Sequence, residues 1–441
     1  MTIALGACLS VASVDLKTTS QDMALTINGK GWVEAGQFVD FFNNGAEYDH
    51  TFLSRTYMDL CLDATYRDRL HISLGTEGKM WFNFPKQTGT GQATYVHRQN
   101  SSILVSDANV TYSWGDVHAP YLSVTAGLFP YKYDEQARNL GEYLFRSGTY
   151  PAYLINNFDL PFARLTGAKI SSDLFGWLHQ DLLYSMETTV PPFYNGTISY
   201  LADCKVGRFL DIGIGVSFAN IVSVDDKSVT PKNVDKNRYV TAEGDTGYYT
   251  FRGTKLMGKL CFDPKAFLPL GIFGKEDGKI YLEAAVLGLE SYPKNDTIDP
   301  LNPGISQGKN IWGYDTLANK IPIMIGFNVP TFKALDILAI ECEWYGCPYP
   351  NSYKNRLGPG ADYSYPVPDF SKRSNVDYHA DNWKWSVYLK RTFFDNHFGV
   401  VLQFARDHTR NETLVDEGND YEEALSLNKQ WWWMMKVVAQ F

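Results

Sequence analysis

The sequence predicts an all-β fold, a transmembrane antiparallel up-and-down β-barrel of about 16 strands. Three observations carry that expectation. Apolar and polar residues alternate with period two along nearly the whole chain. The connections between the alternating segments tend to run long and short by turns, and aromatic residues mark the segment ends, the last being Phe441.

Composition narrows the classes. With 44% hydrophobic and 15% aromatic residues over 441 positions, the chain is too apolar to stay disordered. A formal charge of −9 speaks against a nucleic-acid binder, which needs a basic footprint. No run approaches ~18 uncharged apolar residues, which excludes a membrane-crossing helix and leaves a barrel possible.

The strands are expected near 25–41, 53–66, 69–83, 102–114, 119–129, 162–171, 177–188, 196–205, 208–219, 247–263, 279–290, 320–329, 335–345, 381–393, 397–408 and 429–441. The last is the clearest. Trp431, Trp433, Met435, Val437, Ala439 and Phe441 share one face, and Trp432, Met434, Lys436, Val438 and Gln440 the other. Likewise Met58, Leu60, Leu62 and Ala64 oppose Tyr57, Asp59, Cys61 and Asp63, and Leu210, Ile212, Ile214, Val216 and Phe218 oppose Asp211, Gly213, Gly215 and Ser217. No stretch shows a convincing 3.6-residue period.

Short links such as Arg67-Asp68, Val206-Gly207 and Phe394 to Asn396 alternate with long ones near 84–101, 130–161, 220–246, 291–319, 346–380 and 409–428. A soluble sandwich also alternates, but it has no reason to sort loop length by parity. An even count near 16 is too many for one sandwich and suits a closed sheet without edges. Outward aromatics are expected beside the short turns (Tyr66, Trp114, Phe393, Phe398, Phe441) and the long loops (Phe82, Trp344, Trp383), as at membrane interfaces.

The chain divides into a segment 1–20, read as a residual signal sequence, and a barrel over 21–441. Ser10-Val11-Ala12 fits a small-x-small cleavage site, and Leu5-Gly6-Ala7-Cys8 resembles a lipoprotein processing box. Six cysteines lie at 8, 61, 204, 261, 342 and 347 without a CxxC pair, so no metal site is expected. Cys342 and Cys347 are read either as a bridge or as two free thiols.

Two segments carry a family resemblance. Gln430 to Phe441 resembles the terminal strand of Gram-negative outer-membrane porins, with a final Phe after apolar residues at alternate positions. Ala126 to Pro151 is similar to a stretch of phosphate-selective-type porins through Gly127, Phe129, Glu142, Phe145, Arg146 and Ser147. The resemblance implies an outer-membrane channel for passive diffusion of small hydrophilic solutes or ions. It also implies a homotrimer in contact with membrane lipid and lipopolysaccharide, with no cofactor. The acidic balance of the chain speaks against a lysine- and arginine-rich pore taking phosphate.

The segment 130–161 is the third long loop, which the resemblance implies folds inward and narrows the pore. Its candidate constriction residues are Lys132, Asp134, Glu135, Arg138, Glu142 and Arg146, with Arg138 and Arg146 singled out. Candidate lumen-wall residues are Arg55, Asp59, Asp63, Glu77, Lys79, Asp107, Arg164, Glu341, Glu343, Lys384 and Lys390. Each can equally be an ion-paired or solvated wall residue without selectivity.

An enzyme is not expected. His71 and His179 can face the lumen near Asp59 or Asp181, but no serine nucleophile motif accompanies them. Glu341 and Glu343, two apart on one strand face, read more simply as charged wall than as an acid/base pair. The acidic stretches at Asp225-Asp226 and Asn295 to Asp299 lack the ligand spacing of a calcium loop. An alternative function rests on the loop 346–380, whose Pro348-Tyr349-Pro350, Tyr353, Tyr363 and Tyr365 suit glycan stacking or adhesion. A structural barrel with a plugged lumen is the other.

Overall fold

The computed structural model describes residues 14–16, 22–39, 42–43, 46–47, 52–84, 100–116, 119–145, 162–186, 194, 196–222, 238–240, 246–248, 253–268, 271–289, 317–345, 383–406, 409–411, 422–424 and 431–441. Sixteen strands of seven to seventeen residues form one sheet with a three-residue strand, Val14–Leu16.

In chain order the sixteen are β1 (Met23–Val39), β2 (Phe52–Tyr66), β3 (Leu70–Phe84), β4 (Asn100–Gly115), β5 (Pro120–Tyr131), β6 (Ala163–Leu174), β7 (Leu178–Met186) and β8 (Gly196–Val206). They continue as β9 (Leu210–Val222), β10 (Gly253–Phe262), β11 (Ile280–Val286), β12 (Pro322–Asn328), β13 (Ile337–Tyr345), β14 (Trp383–Phe393), β15 (Phe398–Arg406) and β16 (Trp431–Gln440). Each pairs antiparallel with its chain neighbours. β1 also pairs with β16, from Lys30↔Gln440 to Val39↔Trp431, so the sheet closes on itself. All sixteen expected strands are present. The largest boundary difference is at β10, which begins at Gly253 rather than near 247 because 246–248 pairs with 238–240 in a separate hairpin.

At one end of the barrel the connections are tight. Arg67 and Asp68 both take positive φ (49° and 53°), and the Arg69 N–H returns to the Tyr66 carbonyl at 3.2 Å. That left-handed pair matches the strand twist that a two-residue hairpin requires. The longer link between β10 and β11 opens with a 3-10 turn, Pro264–Phe267, capped by the Asp263 side chain on the Lys265 N–H. Further along, Asp277 accepts from the N–H groups of Gly274 (2.8 Å) and Phe332 (3.0 Å), tying this link to the β12–β13 turn. Burial alone would raise the Asp277 carboxyl. The backbone N–H groups at Gly274, Thr331 and Phe332 outweigh it and hold that carboxyl below the usual range.

Period two decides the faces. Leu74, Ile214, Met58 and Val33 stand exposed on the outside, whereas Tyr57, Glu77, Glu283, Met324 and Glu341 are buried within. A sheet whose outer face is apolar and whose inner face holds carboxylates inverts the soluble pattern and matches lipid outside. Trp114, Tyr66, Trp344, Trp383 and Phe393 are exposed at strand ends, as expected; the Phe82 side chain lies outside the described residues. Phe441 closes the seam. Its N–H and carbonyl exchange hydrogen bonds with Gly29 (2.9 and 3.0 Å), and its ring fills the space where a Cβ on residue 29 would stand.

Of the segment 1–20, only Val14–Leu16 is described. It pairs with Leu25–Ile27 of β1, just past the point where β16 stops. Cys8 and Cys347, the loop 346–380 and the acidic stretches near 225 and 295 lie outside the described residues.

Candidate functional site

The described part of the third long loop, residues 132–145, lies inside the barrel. Tyr133, Leu140, Tyr143, Leu144 and Phe145 pack on Leu183, Leu201, Met257, Tyr281 and Met324 of the wall, forming an apolar core in one half of the lumen. Small residues allow this approach. A side chain at Gly215 would meet Leu144 at 2.7 Å, and one at Gly141 would meet Glu283 Oε2 at 2.8 Å. Gly141 and Glu142 both take positive φ (86° and 62°), which turns successive N–H groups toward one point.

Wall carboxylates occupy those points. Glu341 on β13 accepts the N–H groups of Arg138 (2.6 Å), Asn139 (2.9 Å) and Leu140 (3.0 Å), together with Tyr281 Oη (2.9 Å). Glu283 on β11 accepts from Glu142 N (2.7 Å), Tyr143 N (2.9 Å) and Tyr133 Oη (2.5 Å). Glu343 accepts from Tyr143 Oη (2.8 Å) and pairs with Lys384 (3.1 Å). Glu341, Glu343 and Lys384 thus lie on the inner face, and both carboxylates are engaged with the loop.

The loop's own charged residues divide between two tasks. Asp134 and Glu142 are buried, with the Asp134 N–H on Glu142 Oε1 at 2.5 Å, and Lys132 Nζ reaches the Ala137 carbonyl at 2.6 Å. Burial and the charge of Glu283 push the Glu142 carboxyl up to about 8. Arg138 meets Glu276 of the β10–β11 link (3.5 Å), and Lys279 meets the same carboxylate (2.9 Å). A loop entering from the long-loop end is thus held from the short-turn end as well. Arg146 and Ser147 lie outside the described residues.

The other half of the lumen contains a cavity of about 1000 Å³. Along β16 its lining runs from Trp432 near the long-loop end through Met434, Lys436 and Val438 to Gln440 at the short-turn end. The loop borders it through Lys132, Glu135, Ala137, Arg138 and Asn139. A second recess of about 320 Å³ continues at the short-turn mouth between Lys30, Asp59, Asp395, His397 and Gln440.

The remaining expected wall residues group by pairing. Arg55 binds Glu34, which also takes Lys436 at 3.2 Å. Glu77 receives Lys79 (3.1 Å), Arg164 (2.6 Å) and Tyr57 Oη (2.8 Å). Asp59 and Asp63 accept from Ser106 (2.6 Å) and from Asn28 (2.6 Å) and Ser73 (2.5 Å), with Asp107 close enough to feel both charges. Lys390 lines the cavity. His179 contacts Asp173 (2.8 Å) and Asp181 (3.4 Å), while His71 contacts Thr65 Oγ1 (3.1 Å) in place of the suspected Asp59. Sequence reasoning did not single out Glu34, Lys30, Lys169 or Glu283. Their inward phase follows from alternation, but the loop contact at Glu283 has no local signal.

Fold and site together define a porin-like class: a closed sixteen-stranded barrel with an apolar exterior, a polar lumen and a loop folded into it. No family model matches the chain, and no curated protein does. Among solved structures it is similar to mutants of the Rhodopseudomonas blastica porin. A two-site mutant gives 9% identity and a TM-score of 0.44, with 95% of this chain and 100% of that chain covered. A three-site mutant gives 10% identity and a TM-score of 0.44 over the same shares.

Proposed function

We propose that the protein is an outer-membrane channel for passive diffusion of small hydrophilic solutes. The observation supporting this reading is the cavity along β16, which runs nearly the full length of the strand beside the inserted loop and is lined by both charged and apolar side chains. A cavity with charged groups in its lining, enclosed by a sheet with an apolar exterior, suits solute passage across a bilayer. In this reading Glu135 and Arg138 narrow the path from the loop, and Arg55 and Lys390 border it from the wall. In the same reading the barrel sits as a homotrimer among lipid and lipopolysaccharide.

Conductance of the purified protein in planar bilayers tests it. Stable current steps are expected. Protein that inserts and passes no current would instead favour the structural reading, in which the loop and its apolar core close the lumen.

A further inference from the structure

The chain carries a formal charge of −9, yet among the described residues the cavity is bordered by Lys30, Arg55, Lys132, Arg138, Lys169, Lys390 and Lys436 against two carboxylates, Glu135 and Asp181. Several inward carboxylates are engaged elsewhere, while Asp59 and Asp395 lie at the short-turn mouth. Glu283, Glu341 and Glu343 hold the loop, and Glu77 serves Lys79 and Arg164. Asp181 is itself occupied by Tyr131 Oη (2.8 Å), Ser171 Oγ (2.5 Å) and His179.

Register places the cations. Lys390 pairs with Val401, Val401 with Lys436, Lys436 with Glu34 and Glu34 with Arg55, a single row crossing five strands from β14 to β2. Glu34 is the one carboxylate in that row and is shared by two cations. Among the described residues, Lys30, Lys169 and Lys390 form no salt bridge. Lys30 is repelled by Lys436 and Lys390 and attracted by Asp59, while Lys30 and Lys436 lie 5.6 and 4.6 Å from the centre of the Trp32 ring. The Trp32 ring sits between Lys30 and Lys436 on the inner wall, and with Lys390 these cations line the cavity, so their field acts on whatever occupies it.

From this arrangement we infer that the channel selects anions, and that its solutes are small molecules bearing carboxylate or phosphate groups. The inference rests on the channel reading and deepens it. An anion crossing the row exchanges part of its hydration for the fields of Lys390, Lys436 and Lys30, whereas a cation meets an excess of like charge there.

The test is the reversal potential in a potassium chloride gradient. Wild-type protein is expected to favour chloride over potassium by about tenfold, the low end of what a focused field provides. The triple variant Lys30→Gln, Lys390→Gln, Lys436→Gln should bring the ratio down to near unity or below. Glu34→Gln removes the only acid of the row and should move the ratio the opposite way, which keeps the test decisive if the triple variant does not assemble. Block of the chloride current by a hexose phosphate and by a small dicarboxylate, but not by the uncharged hexose, would establish the solute class. Wild-type current with a potassium preference overturns this inference while leaving a channel in place. An unchanged ratio in the assembled triple variant also overturns it, and protein that carries no current at all overturns the channel reading itself.

Discussion

Replacing Glu341 by alanine removes one acceptor set from four donors at once: the N–H groups of Arg138, Asn139 and Leu140 and the hydroxyl of Tyr281. A hydrogen bond to a charged group contributes about 1.5–3 kcal/mol, and an orphaned buried N–H costs a similar amount. Water from the neighbouring cavity can enter the vacated space, so the lower end applies, about 1.5 kcal/mol for each of the three backbone donors. Loop docking should weaken by about 4–5 kcal/mol, roughly three orders of magnitude in the docked-to-undocked ratio. The barrel wall should survive, because strand pairing at this position uses backbone groups and not the carboxylate. Single-channel recordings should show larger or strongly flickering steps, and amide exchange should accelerate at residues 138–140 while the wall strands stay protected. A quiet current of wild-type size, with those three amides still protected, would refute the view that wall carboxylates hold the loop. Glu341→Gln should fall between the two, since its amide keeps one acceptor oxygen and turns donors toward donors.

Other outcomes follow from the same contacts. The Glu142 carboxyl, raised to about 8 from an ordinary 4.5, takes up a proton when the loop docks, so docking is fully favoured below about pH 4.5 and weakens as pH rises through about 8. Current noise should therefore grow between about pH 4.5 and about pH 8 in the wild type and respond less to pH in Glu142→Gln. Ile214→Arg places a charge on the outer face of β9 and should lower stability in lipid vesicles by about 2–4 kcal/mol in urea titration; no change there would count against a lipid-facing exterior. Gly29→Val puts a side chain where the Phe441 ring sits and should reduce the yield of heat-modifiable, assembled barrel, with Gly29→Ala intermediate.

The wall was legible in the sequence because its rule is local. Period two assigns Ile214 outward and Gly215 inward without reference to any distant residue, and the same rule placed Asp59, Glu77 and Lys390 toward the lumen. What each inward residue touches was not legible. Glu341 reads as a charged wall position whether its oxygens meet water or the N–H groups of a loop 203 residues earlier in the chain. Net charge is a poor guide to the lumen for a related reason: it sums paired groups such as Glu34, Glu77 and Glu343 together with those that line the cavity. The resemblance at Ala126 to Pro151 pointed to residues with structural duties. A side chain at Gly127 would collide with the Ala108 carbonyl, and Phe129 and Phe145 are buried at 3% and 1%.

The fastening of residues 138–143 to β11 and β13 also constrains the order in which the molecule is made. Sequence separations of 141 and 203 mean that the acceptors do not exist for the loop until most of the wall has been laid down. Until Tyr281 and Met324 are in place, Tyr133, Leu140, Leu144 and Phe145 lack part of the wall that covers them, so the plug can settle only in the last stages of ring closure.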